Sequence, residues 1–147
     1  MPAIKTEIVI NTPAEKVWKV LTDFENYESW NPVVPKIECN PSIGSTAKIK
    51  LKANGISLPI VAKITDFTIN KRFAWGGPDI WLMNKIGNAE HYFELHDLNG
   101  GQCLFIHGEE FKGALPRVLW ALISKLEASY NEMNEALKRK SENNFNQ

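Results

Sequence analysis

The sequence predicts an α+β fold, a curved antiparallel sheet of about seven strands closing on one long C-terminal helix. Three observations predict it. A strand-like alternation opens the chain and runs into a well-signalled helix. Six further runs of strand character follow, separated by short Gly, Pro and Asn signals, which favour antiparallel pairing. A helical period then occupies most of the last thirty or so residues.

In the first element, "IKTEIVIN", Ile4, Thr6, Ile8 and Ile10 share a face, as in a half-buried strand. "TPAEKVWKVLTDF" then reads as a helix, with Thr12 as N-cap, Pro13 at the first helical position and Glu15 completing a capping box. Val17, Val20, Leu21 and Phe24 form its buried face. "ENYESWNPVVP" allows one short turn ended by Pro32. Strands follow in "KIECN", "TAKIKLKA", "PIVAKITDFTIN", "RFAWGG" and the two limbs of "EHYFELHDLNGGQCLFIHGEEF". The last helix starts at Pro116, and Leu119, Leu122, Leu126, Tyr130, Met133 and Leu137 recur at steps of three and four, with Val118 and Ile123 widening the stripe. Lys138, Arg139 and Lys140 suit its C-terminal end. One domain over residues 1–140 and a polar, frayed tail over 141–147 are expected.

At 147 residues the chain can bury roughly 70% of its unfolded surface. Seventeen acidic and seventeen basic residues balance and the Lys and Arg residues are scattered, so neither nucleic acid nor an anionic membrane is an expected partner. No run of eighteen apolar residues suggests a transmembrane segment, and no apolar leader opens the chain. Cys39 and Cys103 lack Cys-x-x-Cys spacing, which reads as reduced thiols in a cytoplasmic protein. No phosphate loop, nucleophile elbow or calcium loop is present, so any enzyme here is expected to work without a cofactor.

The hairpin over residues 90–111 holds all three histidines. Alternation puts His91, Phe93 and Leu95 on one face and sends His96 to the other. In the second limb Cys103, Phe105, His107, Glu109 and Phe111 lie together. A two-residue Asn99-Gly100 turn separates His91 from His107; a bulged Asn99-Gly100-Gly101 turn puts His91, His107 and Glu109 on one face. A His₂Glu zinc set needs a further converging element and fits no zinc spacing, so no metal is expected. A carboxylate beside an imidazole could instead do acid–base work, or simply satisfy buried polar groups.

The segments "VWKVLTDFENYESWNP" (17–32), "HYFEL" (91–95), "HGEEFKG" (107–113) and "YNEMNEALKRKSE" (130–142), in this order, resemble the START-like or SRPBCC superfamily, and within it the small polyketide cyclase/dehydratase-like proteins. The resemblance implies the helix-grip fold and a cavity for a hydrophobic, lipid- or polyketide-like molecule between sheet and C-terminal helix. It also favours the bulged hairpin. Ligand-facing candidates are then Trp30, Trp75, Trp81, His91, Phe93, Phe105, His107, Glu109, Phe111, Leu119, Leu122, Ile123, Leu126 and Tyr130, with His91, His107 and Glu109 the acid–base set should the protein be a cyclase/dehydratase-type enzyme. The apolar run at Ile80, Trp81, Leu82 and Met83 reads equally as a loop tucked on the core or an entrance flap, and, as a weaker alternative, as a docking point for a protein partner.

Overall fold

The computed structural model describes residues 2–53 and 55–145. Its strands are β1 (Ala3–Ile10), β2 (Lys36–Cys39), β3 (Thr46–Ala53), β4 (Ile56–Thr68), β5 (Arg72–Gly77), β6 (Gly87–Leu98) and β7 (Gln102–Gly113). They form one antiparallel seven-stranded sheet in the order β1-β7-β6-β5-β4-β3-β2. Consecutive strands from β2 to β7 are hairpin neighbours, and β1 completes the sheet beside β7. The helices are α1 (Ala14–Leu21), α2 (Trp81–Ile86), α3 (Leu115–Val118), α4 (Trp120–Ile123) and α5 (Leu126–Phe145), with a 3₁₀ helix over Phe24–Ser29. The START-like, helix-grip α+β architecture is the one expected.

The inner face of the sheet carries the core. Ile10, Ala47, Ile49, Ala62, Ile64, Phe73, Phe93 and Phe105 pack there against Val17 and Leu21 of α1 and Met133 and Leu137 of α5. The outer face is polar: Arg72 on β5 binds Glu90 at 2.8 Å, Asp66 at 3.4 Å and also Glu94. His96 lies on this outer side, exposed beside Glu94, as alternation required.

Three local expectations need correction. Thr12 does not cap α1; Pro13 occupies the N-cap without a side-chain bond. The Ala14 N–H instead donates to Asp97 Oδ1 of β6 at 2.9 Å, so a distant strand end supplies the cap. The C-terminal helix is not continuous from Pro116. It is broken into α3, α4 and α5, with Leu119 at φ −92°, ψ 10° between the first two. These breaks let Trp120, Ile123 and Leu126 pack with Ile4, Phe111 and Tyr130, while Val118 and Leu122 stand in solvent. Helix α5 also runs on to Phe145, with Ser141 buried and Glu142 Oε1 accepting the Asn11 N–H at 2.9 Å; residues 146 and 147 of the expected tail lie outside the described residues.

Candidate functional site

The hairpin between β6 and β7 decides the site. Phe93 pairs with His107, His91 with Glu109 and Leu98 with Gln102, leaving Asn99, Gly100 and Gly101 as the loop. Gly100 and Gly101 have φ of 87° and 76°, a conformation in which a Cβ is disfavoured. This is the bulged register, and it sets His91, His107 and Glu109 in a row on the inner face beside Phe93 and Phe105.

From Thr6 through Asn134 and His107 to His91 the row is hydrogen-bonded, and the direction of each bond follows from one backbone carbonyl. The Thr6 hydroxyl donates to the His107 carbonyl at 3.0 Å. Its single proton is thereby used, so Thr6 Oγ1 accepts from the Asn134 amide nitrogen at 2.8 Å. The Asn134 oxygen then faces His107 Nδ1 at 2.9 Å and accepts from it. Complete burial, and next the positive potential of His91, hold the pKa of His107 well below the ordinary histidine value. A neutral His107 protonated at Nδ1 must accept at Nε2, so His91 Nε2–H donates to it at 2.8 Å.

His91 Nδ1 is left facing the Glu109 carboxylate at 3.7 Å. The Tyr130 hydroxyl donates to that same Glu109 oxygen. Burial, and then Glu109 itself, raise the tyrosine pKa well above its ordinary value, so the hydroxyl keeps its proton. Ring stacking fixes the row from both sides: Trp75 lies on His91 with centroids 4.5 Å apart, and Tyr130 on His107 at 4.2 Å.

Glu109 is where this row reaches open space. An apolar pocket of about 230 Å³ lies at the end of the sheet, lined by Gly77, Pro78, Met83, Gly87, Asn88, Ala89, Glu109, Phe111, Leu115, Pro116, Leu119 and Ile123. Glu109 is its single charged wall. A larger hollow, about 700 Å³, lies between α5, residues 31–35 and the β3–β4 hairpin, but Glu28, Lys50, Lys52 and Glu132 make it polar and none of the histidine row reaches it.

The pocket lies between the sheet and the α3–α4 part of the expected C-terminal helix, and not beneath α5. Phe93 and Phe105 are fully buried and stacked 5.7 Å apart, filling the space beneath α5 as core and not as ligand wall. Trp75 and His91 are buried within the row, with little direct access. Trp30 packs edge-on against Tyr27 at 5.2 Å, away from the pocket. Trp81 and Leu122 are exposed, and Leu126 packs under Phe111 and Tyr130. Of the ligand-facing candidates, Glu109, Phe111, Leu119 and Ile123 line the pocket. The apolar loop is a short helix, α2, that turns Met83 into the pocket and leaves Ile80, Trp81 and Leu82 outside.

Sequence reasoning missed Thr6 and Asn134. Each carried a signal, a polar residue on an apolar face: Thr6 between Ile4 and Ile8, and Asn134 four residues after Tyr130 on the stripe of α5. Met83 belonged to the apolar run read as a flap, whereas Pro78 and Pro116 carried no comparable signal, because they meet only when separate segments converge.

The architecture has known counterparts. A Streptomyces aromatase/cyclase, Zhui, superposes with a TM-score of 0.75 at 15% identity, over 96% of this chain and 93% of its own. A START superfamily protein from Mycobacterium smegmatis gives 0.70 at 16% identity, over 96% and 97%. A protein from Thermus thermophilus gives 0.72 at 15% identity, over 98% and 99%. At these identities the likeness is one of fold. No curated protein matches the sequence. With the fold, the inward histidine row and the apolar pocket in place, the match of residues 1–142 to the family described as "Polyketide cyclase / dehydrase and lipid transport" decides the matter: the chain belongs to that family.

Proposed function

We propose that the protein binds a compact hydrophobic molecule carrying one polar group in the pocket at the end of the sheet. The observation that carries this reading is an apolar pocket with a single charged wall, Glu109, itself held by Tyr130 and backed by His91. The apolar body would sit among Phe111, Met83, Leu119 and Ile123, with its hydroxyl or amine donating to Glu109. About 230 Å³ suits a small ligand or one end of a longer one, such as a lipid- or polyketide-like chain. Two free thiols, Cys39 and Cys103, fit a cytoplasmic setting.

A second reading, a cofactor-free cyclase/dehydratase-type enzyme, is favoured by the oriented row behind Glu109. The carboxylate could take a proton from carbon beside a ligand carbonyl, while His91 Nδ1 faces the same oxygen and could hold that proton. His107 would then keep the His91 ring in place and not meet the ligand, since it is wholly buried.

Titration with the apolar fluorophore N-phenyl-1-naphthylamine tests the binding reading. Saturable binding is expected in the wild type and should weaken at least about tenfold when Ala89→Phe or Leu119→Trp fills the pocket. Equal binding in both variants would overturn it. Native mass spectrometry of the protein from its own source separates the two readings. A ligand recovered unchanged supports binding alone, and a pair differing by one water supports the enzyme.

A further inference from the structure

Around the mouth of the pocket, residues that a buried helix would hide are in solvent. Trp81 is 71% exposed, Val118 80% and Leu122 63%, and Leu82 and Ile86 are exposed beside them. They come from two segments that the fold brings together: a Cβ on Gly87, just after α2, would lie 2.8 Å from Pro116 of α3, and one on Gly113 would lie 2.6 Å from the Ile86 carbonyl. Met83 and Leu119, from the same two segments, both line the pocket.

The charge on these segments is one-sided. Residues 80–89 and 113–125 contain Lys85, Arg117 and Lys125 and no Asp or Glu, although the whole chain balances seventeen against seventeen. All three cations are exposed, and Lys85 lies over the Trp81 ring at 4.5 Å. The acids flanking these segments, Asp79, Glu90, Glu110 and Glu127, lie just outside; Asp79 is drawn toward Lys63 at 3.9 Å and Glu90 toward Arg72 at 2.8 Å.

We propose that this edge, formed by α2, α3 and α4, docks on the surface of an anionic lipid bilayer. An exposed Trp with neighbouring Leu, Ile and Val can enter the boundary between headgroups and acyl chains, while Lys and Arg beside them meet lipid phosphates. These exposed side chains come from two short helical segments set side by side, which suits shallow insertion into a soft surface. Each cation near an anionic surface adds attraction that salt screens. No helix among the described residues is long and apolar enough to cross a membrane, so the contact is peripheral. Docking here would open the pocket between α2 and α3–α4 toward the acyl chains, allowing an apolar ligand to pass without crossing water. The docking itself goes beyond the ligand-binding reading, and the vesicle measurement needs no ligand, so either can fail alone.

Co-sedimentation of the full chain with vesicles tests it. Binding is expected to phosphatidylcholine vesicles containing phosphatidylglycerol, to be much weaker to phosphatidylcholine alone, and to fall as salt rises. Trp81→Ser combined with Leu122→Ser should reduce the partition coefficient at least about tenfold. Lys85→Glu with Arg117→Glu should do so through charge. These four side chains are exposed and lie outside the pocket lining, so fluorophore binding in the pocket should persist and report that the variants fold. No binding to anionic vesicles at low salt would overturn the proposal and leave the edge to a protein partner. Binding that ignores lipid charge, or that survives both double substitutions, would overturn it equally.

Discussion

His107 shows what a single buried residue does to the behaviour of the whole protein. Its ring is held neutral because burial and His91 both oppose a second proton, so its folded pKa lies well below the ordinary value. In the unfolded chain the same ring binds a proton near about pH 6.5. Below that pH the unfolded state therefore holds a proton the folded state lacks, and stability falls as pH drops, by at most about 1.4 kcal/mol per pH unit, until the folded pKa is reached. Above about pH 6.5 this group adds no slope. Urea unfolding of wild type and His107→Gln at about pH 7.5 and about pH 5.5 should show the wild type losing more on acidification. Parallel losses would contradict the neutral-ring assignment. Cys103 is simpler: burial pushes its thiol up to about 11, so it should stay unreactive toward thiol reagents unless the fold opens.

Among the elements, the β6–β7 hairpin and the start of α1 each depend on a few backbone positions. A Cβ on Gly101 would meet open space, so Gly101→Ala costs only the left-handed backbone conformation, about 1 kcal/mol. Gly113 combines a φ of 94° with a Cβ position 2.6 Å from the Ile86 carbonyl oxygen, so Gly113→Ala should cost several times more and disturb the packing of α2. Chemical denaturation of the two variants gives the comparison. Equal costs would mean that the close approach of Gly113 to α2 is not maintained in solution. At α1, Asp97→Ala removes the acceptor of the Ala14 N–H and should lower stability by about 1 kcal/mol, with Asp97→Asn retaining most of it. The same unfolding curves decide this, and an unchanged midpoint for Asp97→Ala would rule the cross-strand cap out.

For the molecule as a whole, core and pocket are separate volumes, and that separation can be measured. Phe93 lies wholly in the core, in contact with Phe73, Trp75, His91, Phe105 and His107, so Phe93→Ala should cost about 3–5 kcal/mol. It should change fluorophore affinity little under conditions where the variant stays folded. Leu119→Trp, at the half-open pocket mouth, should behave in the opposite way. If Phe93→Ala instead created new fluorophore capacity while Leu119→Trp had no effect, the ligand space would be the one beneath α5.

Strand alternation was enough to place His91, Phe93 and Leu95 together, to send His96 outside and to identify the apolar stripe of α5, because period and burial are local consequences of side-chain order. The signals in Gly100-Gly101 narrowed the hairpin to two registers without choosing between them. Choosing needed the pairing itself, since a shift of one residue inverts a face while leaving the local chain equally content. The break of the C-terminal helix at Leu119 and near Ser124 was invisible along the chain: the three-four spacing continues across it, and only the docking of Trp120 and Ile123 beside Phe111 turns the segment. That turn set the pocket against α3 and α4 at the end of the sheet, and it exposed Val118 and Leu122 there. By itself the sequence determined the fold class, through local periodicity and element order, and carried the family resemblance in four short segments, but it left the inward row open between two registers. The tertiary structure alone decided which space stays empty, because that depends on how closely Phe93, Phe105 and α5 pack and on which carbonyl anchors the bond direction of Thr6, Asn134 and the two histidines.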